Sequence, residues 1–168
     1  MGLTFVAGTA ADVFSGDLAR AVDEALHARY AFSANAEEKY ESEPVEAGGW
    51  RELQQRVHQT LDLAPHLTSV DAYQAVYLPA SLDHVEYMPI PNVADPLQVA
   101  SLPALLDELR RFAAGASLPT DDVELMQLGA HYLEGDDFDA DLDVQTYVQL
   151  MLSAKQANAR GQALWIVA

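Results

Sequence analysis

The chain has 168 residues, of which 50% are hydrophobic, and its formal net charge is −17 at pH 7. Its length fits one domain with a sizeable core, and its hydrophobic content excludes the composition of a disordered chain. It contains no cysteine, which excludes disulfides, thiolate nucleophiles and cysteine-ligated zinc. The negative charge disfavours nucleic acids and anionic membranes as partners, because both carry the same sign.

The negative charge is concentrated in the middle of the chain. Residues 57–154 contain sixteen acidic side chains and two basic ones, Arg110 and Arg111. Because a surface of one sign attracts molecules of the opposite sign, this asymmetry predicts a basic protein as the partner. The N-terminus lacks the basic segment of a signal peptide and no apolar run can cross a bilayer, so a cytoplasmic location is expected. The excess of arginine over lysine and the abundance of alanine suggest a bacterial source.

Apolar spacing predicts the elements of the first half of the chain. An apolar run at 3–7 indicates a strand, and apolar residues at helical intervals indicate a helix over 16–29. Residues 33–49 are rich in glutamate and poor in apolar side chains, so they are expected to form a mobile acidic loop. An apolar stripe starting at Trp50 then predicts a helix that ends before Pro65.

Strands and helices both follow in the second half. The segments 72–78 and 84–90 are predicted to be strands, and the residues between them fit the loop of a β-hairpin. Pro89 and Pro91 end the second strand and suit the edge of a sheet. Capping residues and apolar patterns then predict three helices and a last strand, over about 101–114, 120–135, 143–159 and 163–167.

These elements together predict a single α+β domain over residues 1–168. We expect a small mixed sheet of about four short strands with about five helices packed on it. The N-terminal and C-terminal strands are both short and apolar, so they are expected inside the sheet.

The densest group of acidic residues lies between Glu134 and Asp143. Asp137, Asp139, Asp141 and Asp143 alternate along it, so an extended backbone would direct all four to one side. Four carboxylates on one side repel one another unless they are solvated, contact a basic partner or bind a cation.

Three interpretations of this acidic segment stay open. Calcium or magnesium would suit its oxygen ligands, but the calcium-loop pattern requires glycine and glutamate where this chain has Leu142 and Val148. The carboxylates would otherwise cap the following helix and favour its positive end. They would also suit a patch that faces a basic partner.

A second candidate metal site lies on the helix predicted over 120–135. Glu124, Gln127, His131 and Glu134 fall on one helical face, where histidine and glutamate on one turn can share a divalent ion. The same pattern is typical of a solvated helix face. If a metal is present, its candidate ligands are Glu124, His131, Glu134, Asp137 and Asp139.

The segment that contains Tyr73, Tyr77 and Tyr87 has few charges. Tyr73 and Tyr77 would share one face of a strand. Tyrosine is ordinary in a sheet core, and it also anchors protein interfaces because it buries a large area and keeps a hydroxyl group. If this segment lies beside the acidic one, the two would form a single docking surface.

The sequence predicts a non-catalytic binding or regulatory protein that docks a basic partner protein. By size and charge alone it is similar to small acidic inhibitors of basic enzymes, such as the immunity proteins of bacterial toxins. Two alternatives are a hydrolase-like enzyme that uses calcium or magnesium on the 134–143 carboxylates, and a self-associating structural subunit. No catalytic residue or other cofactor is predicted, and the predicted partner-binding residues are Asp136, Asp137, Asp139, Asp141, Asp143, Tyr73, Tyr77 and Tyr87.

Overall fold

The computed structural model describes residues 2–32, 38–73, 75–134 and 140–168, and within these ranges it has six α-helices and a seven-stranded mixed sheet. The predicted α+β class is confirmed, but the sheet has more strands than expected. None of the helices in these ranges combines the length and the apolar character needed to cross a membrane.

The helices and strands fill most of the described chain. A short 3₁₀ helix, Ala10–Asp12, lies between the first strand and the first α-helix. The elements in chain order are β1 (Gly2–Gly8), α1 (Gly16–Arg29), β2 (Tyr40–Glu41), β3 (Val45–Glu46), α2 (Ala47–Thr60), α3 (Pro65–Thr68), β4 (Ala75–Leu78), β5 (Glu86–Met88), β6 (Leu97–Ser101), α4 (Leu102–Ala116), α5 (Asp122–Glu134), α6 (Leu142–Arg160) and β7 (Ala163–Val167).

The sheet brings the two ends of the described chain together. Its strand order is β2-β1-β7-β4-β6-β5, and β3 also pairs with β1. β1 and β7 are antiparallel neighbours, with Phe5 opposite Ile166. The N-terminal and C-terminal strands therefore lie side by side inside the sheet, which confirms the position predicted from their apolar sequences.

The hairpin predicted from segments 72–78 and 84–90 is wrong. Both strands exist in shorter form as β4 and β5, but β6 lies between them, parallel to β4 and antiparallel to β5. β6 escaped prediction because it has five residues, all of them buried, and passes directly into α4. A strand buried on both faces shows no alternation of polar and apolar residues. β5 is the outermost strand, so the predicted edge position beside Pro89 and Pro91 is confirmed.

Helices cover the sheet on both faces, and the alternation of side chains along its strands decides which residue faces which layer. On one face, Phe5 and Tyr77 belong to a core shared with α2, α4, α5 and α6. On the other face, Val76 and Trp165 belong to a smaller core shared with α1. The four strands β1, β4, β6 and β7 therefore each supply side chains to both cores.

The acidic loop predicted over 33–49 contains two short strands in its described part. β2 and β3 each pair with β1, and α2 begins at Ala47. The hydroxyl of Ser42 accepts a hydrogen bond from the backbone N–H of Phe5 at 3.0 Å, which ties this segment to the sheet. Residues 33–37 lie outside the described part of the chain, so the mobility of the loop stays a prediction.

A buried carboxyl group holds the short helix α3 in place. Glu108 of α4 is 3% exposed and accepts hydrogen bonds from the backbone N–H groups of His66, at 3.3 Å, and Leu67, at 3.1 Å. Burial raises the pKa of Glu108 to about 7, although the two amides and Arg111 lower it. Burial therefore accounts for the raised pKa, and the hydrogen bonds to the neighbouring helix account for the position of the carboxyl group.

The side chain of His66 extends the same buried network. Its Nδ1 atom accepts a hydrogen bond from the backbone N–H of Ser101 at 3.0 Å, and its carbonyl oxygen accepts one from the Tyr77 hydroxyl at 2.7 Å. Burial lowers the pKa of His66, while hydrogen bonds to the backbone of Leu82 and Asp83 act in the opposite direction. These contacts join α3 to β4 and to the end of β6.

Two adjacent glycines at the start of α2 have opposite surroundings. Gly49 is buried against α6, where a Cβ atom would lie 2.8 Å from the carbonyl oxygen of Leu142 and would overlap the hydroxyl of Thr146. A Cβ atom on Gly48 would have no neighbour within 4 Å. The close approach of α2 to α6 therefore requires glycine at position 49 only.

We expect Glu108→Gln to change how stability depends on pH. The native pKa of about 7 lies above the ordinary glutamate value of 4.5, so the native state holds a proton that the unfolded state has released between these pH values. The contribution of Glu108 is thus complete below about pH 4.5 and is lost as the pH rises through about 7. Relative to the variant, the wild type should lose about 3 kcal/mol of unfolding free energy across this window. Urea unfolding at several pH values measures this difference in unfolding free energy, and the exposed Glu52→Gln is the control. If the free energy of wild type and Glu108→Gln changed in parallel with pH, the raised pKa of Glu108 would be contradicted.

We expect Gly49→Ala to lower the free energy of unfolding by about 1–3 kcal/mol, because the added methyl group forces α2 away from α6. Gly48→Ala should raise it by up to about 1 kcal/mol, because alanine restricts the unfolded chain and fits the helix. The midpoints of urea unfolding of the two variants provide the test. Equal effects at both positions would show that the two helices do not approach closely at Gly49.

Candidate docking surface

Helix α5 is attached to the rest of the protein along one face. Leu125 and Tyr132 are buried, and at Gly129 the helix lies so near α6 that a Cβ atom would be 3.3 Å from Val148. Near its C-terminal end, the Tyr132 hydroxyl donates a hydrogen bond to the Asp141 carboxylate at 3.0 Å. Burial and this bond raise the pKa of Tyr132 to about 12. The helix is therefore fixed at several points along its length.

Side chains of the protein itself cap the first turn of α5 and pair with one of its carboxylates. The Asp121 carboxylate accepts hydrogen bonds from the backbone N–H groups of Val123, at 3.1 Å, and Glu124, at 3.2 Å. Lys155 of α6 forms an ion pair with Asp122. The start of the helix is thereby positioned from both sides.

A second face of α5 leaves apolar side chains in solvent. Val123, Met126 and Leu133 are 57%, 55% and 48% exposed, and Ala130 lies half-buried between the last two. Their intervals of three, four and three residues place all four on one side of a helix; we call them the α5 stripe. Single exposed apolar residues are ordinary, whereas a contiguous row of them is typical of an interaction surface.

Acidic residues follow the first and the last member of the α5 stripe in the sequence. Glu124 and Glu134 are exposed, and no ion pair between described residues involves either of them. At the C-terminal end, Leu133 also borders a small crevice lined by Glu43 and Pro44. The surface therefore has an apolar row with an acidic residue next to each end of it.

The structure places the predicted partner-binding carboxylates differently. Asp143 forms an ion pair with Arg56 of α2 at 2.6 Å, and Asp141 accepts the hydrogen bond from Tyr132. Both are engaged by groups of the protein itself, so they are less available to a partner than the sequence suggested. The other three candidates lie outside the described residues; they are Asp136, Asp137 and Asp139.

The predicted tyrosine anchors do not form one surface with α5. Tyr77 is completely buried, with its hydroxyl bonded to His66, so it cannot contact a partner. Tyr73 and Tyr87 are 56% and 58% exposed, but Tyr73 precedes β4 and does not share a strand face with Tyr77. Tyr87 lies on β5, at the end of the sheet opposite to β2, whereas α5 borders the segment that carries β2 and β3. The combined tyrosine and acidic surface is therefore absent from the described structure.

The predicted metal ligands on α5 share an exposed face. Glu124, His131 and Glu134 are all exposed, and the ring of His131 lies 5.4 Å from that of Tyr132. In the described part of the chain, no three histidine or acidic side chains are grouped closely enough to hold a metal ion. The remaining candidates, Asp137 and Asp139, fall outside that part, so a metal site that includes them stays a prediction.

Sequence reasoning missed the α5 stripe because α5 is apolar around much of its circumference. Residues such as Leu125 and Met126 are adjacent and equally apolar, yet the first is buried and the second is 55% exposed. Two interleaved apolar sets on one helix are the signal that would have indicated a second contact surface.

Comparisons with protein-family models, with curated proteins and with solved structures found no match for this chain. Function is therefore inferred from the surface itself.

Proposed function

We propose that the protein is a non-catalytic binding protein that docks a basic partner protein on helix α5. The observation that carries the proposal is the α5 stripe, an exposed apolar row bordered by carboxylates without ion-pair partners among the described residues. Apolar side chains supply the area that an interface buries at its centre, and charges at the rim select the sign of the partner.

The dimensions of the α5 stripe suit a helical segment of the partner. From Val123 to Leu133 the helix rises about 15 Å at 1.5 Å per residue. The spacing of the exposed residues is the one by which two helices pack side by side. A partner helix with an apolar row and flanking lysines or arginines would bury the stripe and approach Glu124 and Glu134.

A second copy of this chain is the less suitable partner. Two such helices packed antiparallel on the same stripe would bring Glu124 of one copy towards Glu134 of the other. Each copy also carries a formal net charge of −17. Like charges opposed across an interface are unfavourable, so the margins of the stripe favour a basic protein over self-association.

We expect capture of this partner to depend on two separate features of α5. Val123→Ser with Met126→Ser removes apolar area, and Glu124→Gln with Glu134→Gln removes charge. Each pair should weaken the partner's binding by at least about fivefold, because interface centres and close charge pairs each contribute on the order of 1–3 kcal/mol. The wild type and the variants are immobilised and exposed to an extract of the producing cells. Quantitative mass spectrometry of the retained proteins measures the loss of the partner, which should be a basic protein.

Controls distinguish binding at this surface from non-specific adsorption of proteins. Leu63 is 72% exposed and distant in sequence from α5, so Leu63→Ser should leave capture unchanged. Salt of about 1 M, which shortens the Debye length to about 3 Å, should release the partner. All variants should keep the unfolding midpoint of the wild type, because exposed side chains contribute little to stability. Retention of only acidic proteins, or losses that are equal in the Leu63 control, would refute the proposal.

A further inference from the structure

An apolar cavity of about 280 Å³ lies between α1 and the sheet. Leu18 and Val22 of α1 line it on one side, and Leu97 of β6 and Trp165 of β7 line it on the other. Although it adjoins the smaller core, Leu18 remains 39% exposed. The two layers therefore do not close completely over this part of the sheet.

Aromatic side chains form the inner wall of the cavity. Trp165 is 2% exposed, and its indole N–H donates a hydrogen bond to the carbonyl oxygen of Gly8 at 3.1 Å. The ring of Phe14 lies edge-on to that of Trp165, with 5.7 Å between ring centres. Because the only polar atom of the indole is already bonded to the backbone, the inner wall needs no polar partner from a ligand.

The mouth of the cavity has a different chemistry. Asp95 supplies the one charged side chain among the described lining residues, and it is exposed to solvent. Tyr73, another lining residue, is 56% exposed and carries a hydroxyl group. The lining thus combines an apolar interior with a carboxylate at its edge, in a protein whose formal net charge is −17.

We propose that this cavity binds a small arylalkyl ammonium ion, with its ring against Phe14 and Trp165 and its ammonium group beside Asp95. A cavity of about 150 Å³ lined by apolar side chains takes up benzene. The larger volume here accommodates a phenyl ring and a short alkyl chain. Small-molecule sites typically combine such an apolar wall with a few polar groups that fix orientation. The carboxylate determines that the polar end of the ligand is a cation.

A matched series of three ligands tests the proposal. 4-Phenylbutylamine, 4-phenylbutan-1-ol and 4-phenylbutyrate share one ring and one chain and differ at the end that would meet Asp95. Isothermal titration calorimetry should rank the amine first and the carboxylate last, with the amine about fivefold tighter than the alcohol, as expected for an exposed charge pair. Chemical-shift changes at the indole N–H of Trp165 should accompany binding of the amine.

Two variants locate the binding. Asp95→Asn should make the amine and the alcohol bind equally while leaving binding of the alcohol unchanged. Asp62→Asn, which removes an exposed carboxylate elsewhere, should keep the preference for the amine. Leu18→Arg places a cation at the mouth and should abolish amine binding without unfolding the protein, since Leu18 is partly exposed. Equal affinities for the three ligands in the wild type, no binding of any, or a preference that survives Asp95→Asn would overturn the proposal. None of these measurements involves α5, so their failure leaves the basic-partner proposal intact.

Discussion

The pairing of β1 with β7 is the contact on which the rest of the structure depends. It joins strands from the two ends of the described chain in antiparallel register, from Thr4 opposite Val167 to Gly8 opposite Ala163. Because side chains alternate along the strands, Phe5 enters the core that contains α6, while Trp165 enters the core beneath α1. One strand pair thus supports the helix against which α5 packs and also the inner wall of the apolar cavity.

Two of the chain's basic residues join separate elements of the fold through ion pairs. Arg56 connects α2 to the start of α6 through Asp143, and Arg29 of α1 lies 3.1 Å from Glu86 of β5. Exposed pairs of this kind contribute little to stability individually. Their more important effect is on the charge of the remaining surface. A cation that is paired within the protein cannot neutralise other carboxylates, so the excess negative charge faces solvent.

Local patterns predicted β1, β7 and the start of α4 well because these features depend on neighbouring residues only. The apolar runs of β1 and β7, and the Ser101 cap that accepts a hydrogen bond from the backbone N–H of Ala104, are readable from a few neighbouring residues. The position of β6 between β4 and β5 is set by long-range pairing, for which no local residue carries a signal. The same limit applies to Tyr77, since its sequence neighbours do not reveal whether a tyrosine faces a core or a partner.

The exposed residues of α5 differ from the rest of the helix in what the fold requires of them. Leu125 and Gly129 are fixed by contact with the core, and a polar or larger residue there would be costly. Val123, Met126 and Leu133 have no such constraint, because about half of each side chain is already in solvent. Polar residues at these positions would fold equally well and would reduce the risk of aggregation. Folding does not require this apolar row, and no described cation pairs with the carboxylates next to it. Contact with another molecule is the simplest explanation of both properties.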